Sequence, residues 1–215
     1  MSCRFPNACC VSCATRNRET LWKGCSVFNS LLGLFSLDMG IDLGTYRSGL
    51  AALEIGRNAK LVAHERVVAP GEVDYNNYIE RWDLMIDQVQ SFMVQVLKGR
   101  PMAVGVEQPN SFRNGNTTRL LTGGFGVLMY WLHQQGLFGM EINTGHAKKV
   151  FCGKGGGNKI PTLDRANEMY DLNLKFHRDA KKSDDDISDA IQVAYTARYH
   201  LVEEDPWFKE RATRD

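Results

Sequence analysis

This chain has almost no net charge: 26 Lys and Arg against 25 Asp and Glu leave +1 at pH 7 over 215 residues. A globally basic surface is thereby excluded, and any affinity for a polyanion must come from a local patch. Cysteine is nearly missing from the body of the chain. Cys3, Cys9, Cys10, Cys13 and Cys25 crowd its start, and only Cys152 lies beyond them. Cys10 and Cys13 have C-x-x-C spacing, but no second well-spaced pair completes a zinc knot, so the cluster reads as reduced thiols in a poorly ordered extension. Long hydrophobic runs are absent as well. The apolar stretch from Val27 to Leu37 is too short, and too broken by Asn29, Ser30 and Gly33, to span a bilayer. No small-residue cleavage site follows it to make a secretory signal, and no internal repeat is visible.

The extension does carry Arg4, Arg16, Arg18 and Lys23 against Glu19, the composition of a mitochondrial transit peptide. A natural start at Met39, with all before it an upstream extension, fits equally. At 43% hydrophobic content, 215 residues can bury one good core and are short for two. The expected division is an extension over 1–38, one folded domain over 39–204, and a charged tail over 205–215.

From Met39 onward the pattern is regular. Met39 to Leu43 reads as a short buried strand, a turn over Gly44 to Ser48 follows, and Gly49 to Ile55 returns as a hairpin partner. Lys60 to Val68 makes a third strand. Ile79, Trp82, Ile86, Val89, Met93 and Val96 recur at helical spacing and predict a long amphipathic helix over Tyr78 to Leu97, stopped by Gly99-Arg100-Pro101. Pro101 to Val106, nearly all apolar, suits a parallel strand buried on both faces. Thr117 to Gln135 predicts a second helix, whose Gly123, Gly124 and Gly126 suggest a close approach. Met140 to Asn143 is the next strand, Thr144-Gly145-His146 a turn, and Gly153 to Asn158 a glycine loop. Helices are predicted over Leu163 to Leu174 and Ser188 to Glu203. The order is that of an α/β fold with a mixed five-stranded sheet flanked by helices.

Four acids stand out in this frame. Asp42 lies in the apolar run Met39-Gly40-Ile41-Asp42-Leu43-Gly44, Glu107 ends the run Ala103-Val104-Gly105-Val106, and Asp186 and Asp189 lie three apart ahead of an apolar helix. A carboxylate in a strand-like apolar run must be compensated for its desolvation. A hard cation such as Mg²⁺ supplies that compensation through oxygen ligands. Acids converging from two strands and a helix could hold two ions about 4 Å apart, the arrangement for in-line attack on a phosphodiester. Lys148, Lys149, Lys154 and Lys159, with Arg113 and Arg119, make a local basic side suited to phosphates.

The ordered set Gly40-Ile41-Asp42-Leu43-Gly44, Val106-Glu107-Gln108 and Asp186-Ile187-Ser188-Asp189-Ala190 resembles the RuvC family of Holliday-junction resolvases, of the ribonuclease H-like superfamily. Lys148 and Lys159, around Gly153-Lys154-Gly155-Gly156-Gly157, match the family's lysine, glycine turn and second lysine. The resemblance implies a ribonuclease H-like fold and a homodimeric endonuclease that cuts opposed strands of a four-way or branched DNA junction. It implies Mg²⁺, or Mn²⁺, with two ions per site held by Asp42, Glu107, Asp186 and Asp189, and 5′-phosphate products. Lys148 and Lys159 correspond to phosphate-contacting lysines, and Phe112 to an aromatic that stacks at the junction core. Leu43, where many bacterial members have proline, marks a divergent branch, phage or bacterial. The implied compartment is the cytoplasm of a bacterium or phage-infected host, with the mitochondrion as the alternative and no membrane association.

Duller readings compete with each assignment. Asp42 in Asp-x-Gly could cap a turn. Asp184 and Asp185 could simply favour a helix N-terminus, the lysines could be a solvated face, and Trp82 and Trp131 are most simply core. Rival functions are an ATP-binding protein, because Gly40 to Thr45 also resembles the phosphate loop of the actin and heat-shock ATPases; a ribonuclease H acting on hybrid; a broader branched-DNA nuclease or mitochondrial resolvase; and a non-catalytic junction binder. A pure binder would gain by losing four acids near DNA phosphates.

Overall fold

The computed structural model describes residues 37–54, 59–68, 78–97, 102–109, 115–155, 158–179 and 182–201. The clustered cysteines, Phe112, Arg113, Gly156, Gly157 and the segment 205–215 lie outside them. Five strands, β1 (Leu37–Asp42), β2 (Arg47–Glu54), β3 (Lys60–Val68), β4 (Met102–Glu107) and β5 (Phe138–Ile142), form one mixed sheet in the order β3-β2-β1-β4-β5. β1, β2 and β3 are an antiparallel meander, while β4 runs parallel to β1 and β5 parallel to β4. The helices are α1 (Tyr78–Leu97), α2 (Gly115–Gln134), α3 (Thr144–Cys152), α4 (Ile160–Tyr170) and α5 (Asp185–Tyr199).

The alternation of β1 divides the molecule into layers. Leu37, Met39 and Ile41 face one side, where they join Trp82, Met85, Val89 and Phe92 of α1 and Leu121, Leu128 and Leu132 of α2 in one core. Asp38, Gly40 and Asp42 alternate to the opposite side, which α5 covers. There Ala51 and Leu53 of β2 pack with Leu163 and Ala166 of α4 and Ile187, Ala190, Ile191 and Ala194 of α5. A Cβ on Gly40 would lie 2.1 Å from the Ala190 carbonyl oxygen and 2.3 Å from the Ala194 nitrogen, so this glycine admits the backbone of α5 directly onto the strand.

The predicted helix over Tyr78 to Leu97 and the third strand over Lys60 to Val68 have the observed bounds. β1 begins at Leu37, so the fully buried Leu37 and Asp38 lie inside the sheet. Gly124 meets the predicted close approach, because a Cβ there would stand 2.3 Å from the Trp82 ring, whereas Gly123 and Gly126 face open space.

One element differs in kind. The expected turn at Thr144 to His146 is the first turn of α3. Asn143 caps it by accepting a hydrogen bond from the His146 nitrogen at 3.1 Å, and Gly153 at φ 75° ends it. Both are ordinary helix punctuation, but barely two turns of apolar pattern lie between them. α4 starts at Ile160 and stops at Tyr170, earlier than the predicted Leu174. Asp171 takes φ 52°, and the Asn167 side chain then ties the chain back through two hydrogen bonds to the Leu174 backbone, at 2.8 and 2.9 Å.

Candidate active site

The sheet register puts the charged residues in one row. Arg66 of β3 is paired with Gly49 of β2, and Gly49 with Asp42 of β1. Glu107 ends the parallel neighbour β4, one residue beyond the Ile41 to Val106 pair. Asp42 and Glu107 therefore emerge side by side where two parallel strands end, the edge at which α/β sheets place their sites. The turn after Asp42 is anchored: Gly44 N donates to Ser48 Oγ at 3.1 Å, and buried Arg81 donates to the Thr45 carbonyl at 3.2 Å and lies over the Tyr46 ring.

The Asp42 carboxyl hydrogen-bonds with Glu107. Burial first, then the adjacent Glu107 and Asp189 charges, hold it well above the usual carboxylate range, against the pull of Lys159. Glu107 in turn accepts a short hydrogen bond from Thr144 Oγ1, at the head of α3. α5 delivers Asp189, which is 8% exposed. Burial raises its carboxyl to about 6, with Lys159 and Lys148 opposing and Glu107 assisting.

Lys159 closes the cluster from the head of α4. Its ammonium pairs with Asp185 and stands 3.5 Å from Asp189 Oδ2. Burial works against its charge, but Asp189, Asp185 and Asp42 hold its pKa above the ordinary lysine value. Asp185 is kept below the usual range because the hydrogen bonds from Lys159 and Ser183 outweigh its burial.

Of the residues expected from the sequence, the structure thus brings together Asp42, Glu107, Asp189 and Lys159, with Lys148 near enough to act on Asp189. It does not bring Asp186 to them. Both oxygens of that carboxylate are bound by Arg66, at 2.8 and 2.9 Å, on the opposite side of Gly49. Lys149 and Lys154 are exposed. Arg119 lies over the Tyr78 ring, 5.9 Å from its centroid, instead of joining the lysines. His146 stacks on His200 at 4.9 Å. Thr144, Asp185, Arg47 and Arg66 went unrecognised as site residues. Only Thr144, directly after a helix-capping Asn, had a local signal; the arginines are brought to α5 solely by the hairpin.

The donor set suits a hard cation, since it is all carboxylate oxygen, and Asp185 Oδ1 and Asp189 Oδ1 are buried without a hydrogen-bond partner. As placed, no three His, Cys, Asp or Glu side chains among the described residues stand where they could hold one ion. The carboxylates are drawn onto one another and onto Lys159 instead. Among the described residues, no helix is long and apolar enough to cross a membrane.

No protein-family model and no curated protein matches the sequence. Solved structures do. Thermus thermophilus RuvC in complex with a Holliday junction substrate aligns with a TM-score of 0.60 at 19% identity, over 75% of this chain and 92% of its own. A second structure of Thermus thermophilus RuvC gives the same TM-score and identity, over 78% of this chain and 96% of that one. The yeast mitochondrial Holliday junction resolvase Ydc2 aligns with a TM-score of 0.51 at 11% identity, over 82% of each chain. Strand order, helical layers and these likenesses agree: the chain has the ribonuclease H-like fold of the RuvC-type resolvases.

Proposed function

We propose that the protein is a structure-selective endonuclease that resolves four-way DNA junctions by paired nicking, leaving 5′-phosphates. The observation that carries this reading is the meeting of Asp42, Glu107 and Asp189 at the ends of two parallel strands, with Lys159 among them, on a fold shared with structures of junction resolvases. A divalent cation, Mg²⁺ or Mn²⁺, toward which Asp42, Glu107 and Asp189 would have to turn from one another and from Lys159, would supply a water ionised near neutral pH and charge stabilisation for the leaving 3′ oxygen.

The chain's own residues do the rest. Desolvation makes the Asp42 and Asp189 carboxylates hungry for positive charge, which favours a phosphate only when cations accompany it. Thr144 holds Glu107 toward Asp42. Lys159 and Lys148 meet phosphate oxygens, and exposed Lys149 and Lys154 extend that contact along the DNA. Such contacts fix the position of the duplex arms without reading sequence. The protein would work as a homodimer, because two opposed strands must be cut. Exposed Ile79 and Val94 of α1, and Val127 and Tyr130 of α2, offer apolar surface for it.

The test is cleavage of a labelled four-way junction beside linear duplex, fork and RNA–DNA hybrid, with Mg²⁺, Mn²⁺ or EDTA. Paired symmetric nicks on the junction alone, abolished by EDTA and by Asp42→Asn with junction binding kept, are expected. Hybrid cleavage, or full activity in Asp42→Asn, overturns the reading.

A further inference from the structure

Between α4 and α5 the chain makes an exposed loop whose two ends are fixed. At the first end, Asn167 of α4 holds the Leu174 backbone with both its amide nitrogen and its amide oxygen, and Leu174 is buried with Leu163 of α4 and Ile187 of α5. At the second end Ser183 is buried, and Arg66 of β3 donates from Nη2 to the Ser183 carbonyl and to Asp184 Oδ1. The two arms are also tied to each other. Lys175 N donates to Asp184 Oδ2 at 2.9 Å, Asp184 N donates to the Lys175 carbonyl at 2.9 Å, and His177 N donates to Ser183 Oγ at 3.2 Å.

The backbone is thus engaged with the protein, while Lys175, Phe176, His177, Arg178 and Lys182 are all exposed, Phe176 to 45%. Asp179 is the one acid among the described residues from Lys175 to Lys182. His177 Nδ1 accepts from Asp179 N at 3.0 Å, which leaves Nε2 as the ring's donor. A run of cations on a loop is by itself a solvated face. Here the cations stand on a tethered backbone and flank an exposed aromatic ring.

The loop's place in the fold gives it a partner. Asp184, at its root, is one residue from Asp185, which pairs with Lys159 among the acids of the site. Arg66 fixes that root to β3, at one edge of the sheet, whereas α3, with Lys148 and Lys149, follows β5 at the other edge. Asp42 and Glu107, on the strands between, therefore have basic groups toward both edges. Cations alone fit any phosphate chain. A ring among them fits nucleotides whose bases have left the stack, because the ring covers a base face while the cations hold the neighbouring phosphates. A closed duplex offers phosphates but no free base face.

We propose that Lys175 to Arg178, with Lys182, form a second DNA-binding element, in which Phe176 stacks on an unstacked base and Lys175, Arg178 and Lys182 hold the phosphates beside it. The inference rests on the proposed function and deepens it, since the crossover of a four-way junction is where that substrate can expose such a base.

The experiment is fluorescence anisotropy with Mg²⁺ on the full chain carrying Asp42→Asn, which under the proposed function binds without cutting. Three labelled probes are compared: a four-way junction, a linear duplex of the same arm sequence, and that duplex interrupted by a run of unpaired thymidines. Phe176→Leu keeps the apolar bulk and loses the aromatic face. It should weaken binding of the junction and the interrupted duplex about 5- to 150-fold, with the linear duplex and the melting temperature unchanged, and Phe176→Trp should keep the affinity. Lys175→Ala, Arg178→Ala and Lys182→Ala should each shallow the salt dependence by about one unit of log-log slope. Equal loss on the linear duplex and the junction in Phe176→Leu, or a lowered melting temperature with binding intact, overturns the inference. Unchanged affinities and slopes in every loop variant, on a parent that prefers the junction, overturn the inference alone. A parent that binds the junction no better than the linear duplex overturns the proposed function, and the inference with it.

Discussion

Lys159, at the head of α4, bridges two carboxylates of α5: its ammonium pairs with Asp185 and stands 3.5 Å from Asp189 Oδ2, with Asp42 also in its field. A cation is thus built into the cluster at the place where phosphate and metal charge would meet. Lys159→Ala should weaken junction binding and shallow its salt dependence by about one unit of log-log slope. Removing a half-exposed ion pair should cost only about 1 kcal/mol in folding. Fluorescence anisotropy over a KCl series measures the slope, and an unchanged slope would assign Lys159 to the acids alone.

Thr144 supports Glu107 through a single hydroxyl. Thr144→Val keeps the shape and removes the donor, at a folding cost of about 1 kcal/mol. Junction cleavage should fall in kcat, because Glu107 is no longer held toward Asp42, while binding of uncut junction is unchanged. Single-turnover cleavage beside a binding isotherm separates the two.

The seat of α5 gives a prediction on packing. Gly49→Ala would put a methyl group 1.8 Å from the Asp186 carbonyl oxygen, and Gly40→Ala one 2.1 Å from that of Ala190. Both clashes are with backbone, so the helix must move. Each should destabilise by roughly 3 kcal/mol or more, and Gly49→Ala should abolish cleavage as well. Gly123→Ala, on a helix and facing open space, should instead stabilise by about 0.5–1 kcal/mol. Urea melts of the three variants rank them.

Asp38 gives a pH signature of the fold. It is fully buried, neither oxygen has a hydrogen-bond partner, and burial raises its carboxyl to about 7 against the pull of Arg198. The folded chain therefore keeps a proton that the unfolded chain releases near pH 4. Between those values the native state binds more protons, so this group makes stability fall as pH rises from about 4 to 7 and adds no slope outside that window. The whole contribution is about 4 kcal/mol at most, at about 1.4 kcal/mol per unit. Urea denaturation at pH 4.5, 6 and 8 should show the decline, and Asp38→Asn should flatten it.

Local chemistry alone determined much of this protein. The 3.6-residue spacing from Ile79 to Val96 specifies α1, the apolar run before Glu107 specifies a strand buried on both faces, and acids placed in such runs, at Asp42 and Glu107, announce a site because isolated burial would be too costly. These properties reside in stretches of a few residues, each with its own period or its own desolvation cost. α3 escaped because Asn143 and Gly153 enclose too few turns for a period to emerge. The tertiary structure alone decided how the acids of α5 are partnered. Asp185, Asp186 and Asp189 are chemically alike and only a few residues apart. Their difference arises from Gly49 seating the helix between Arg66 and Asp42: the strand register sets Arg66 beside Gly49, and Arg66 then reaches Asp186, 120 positions away in the chain.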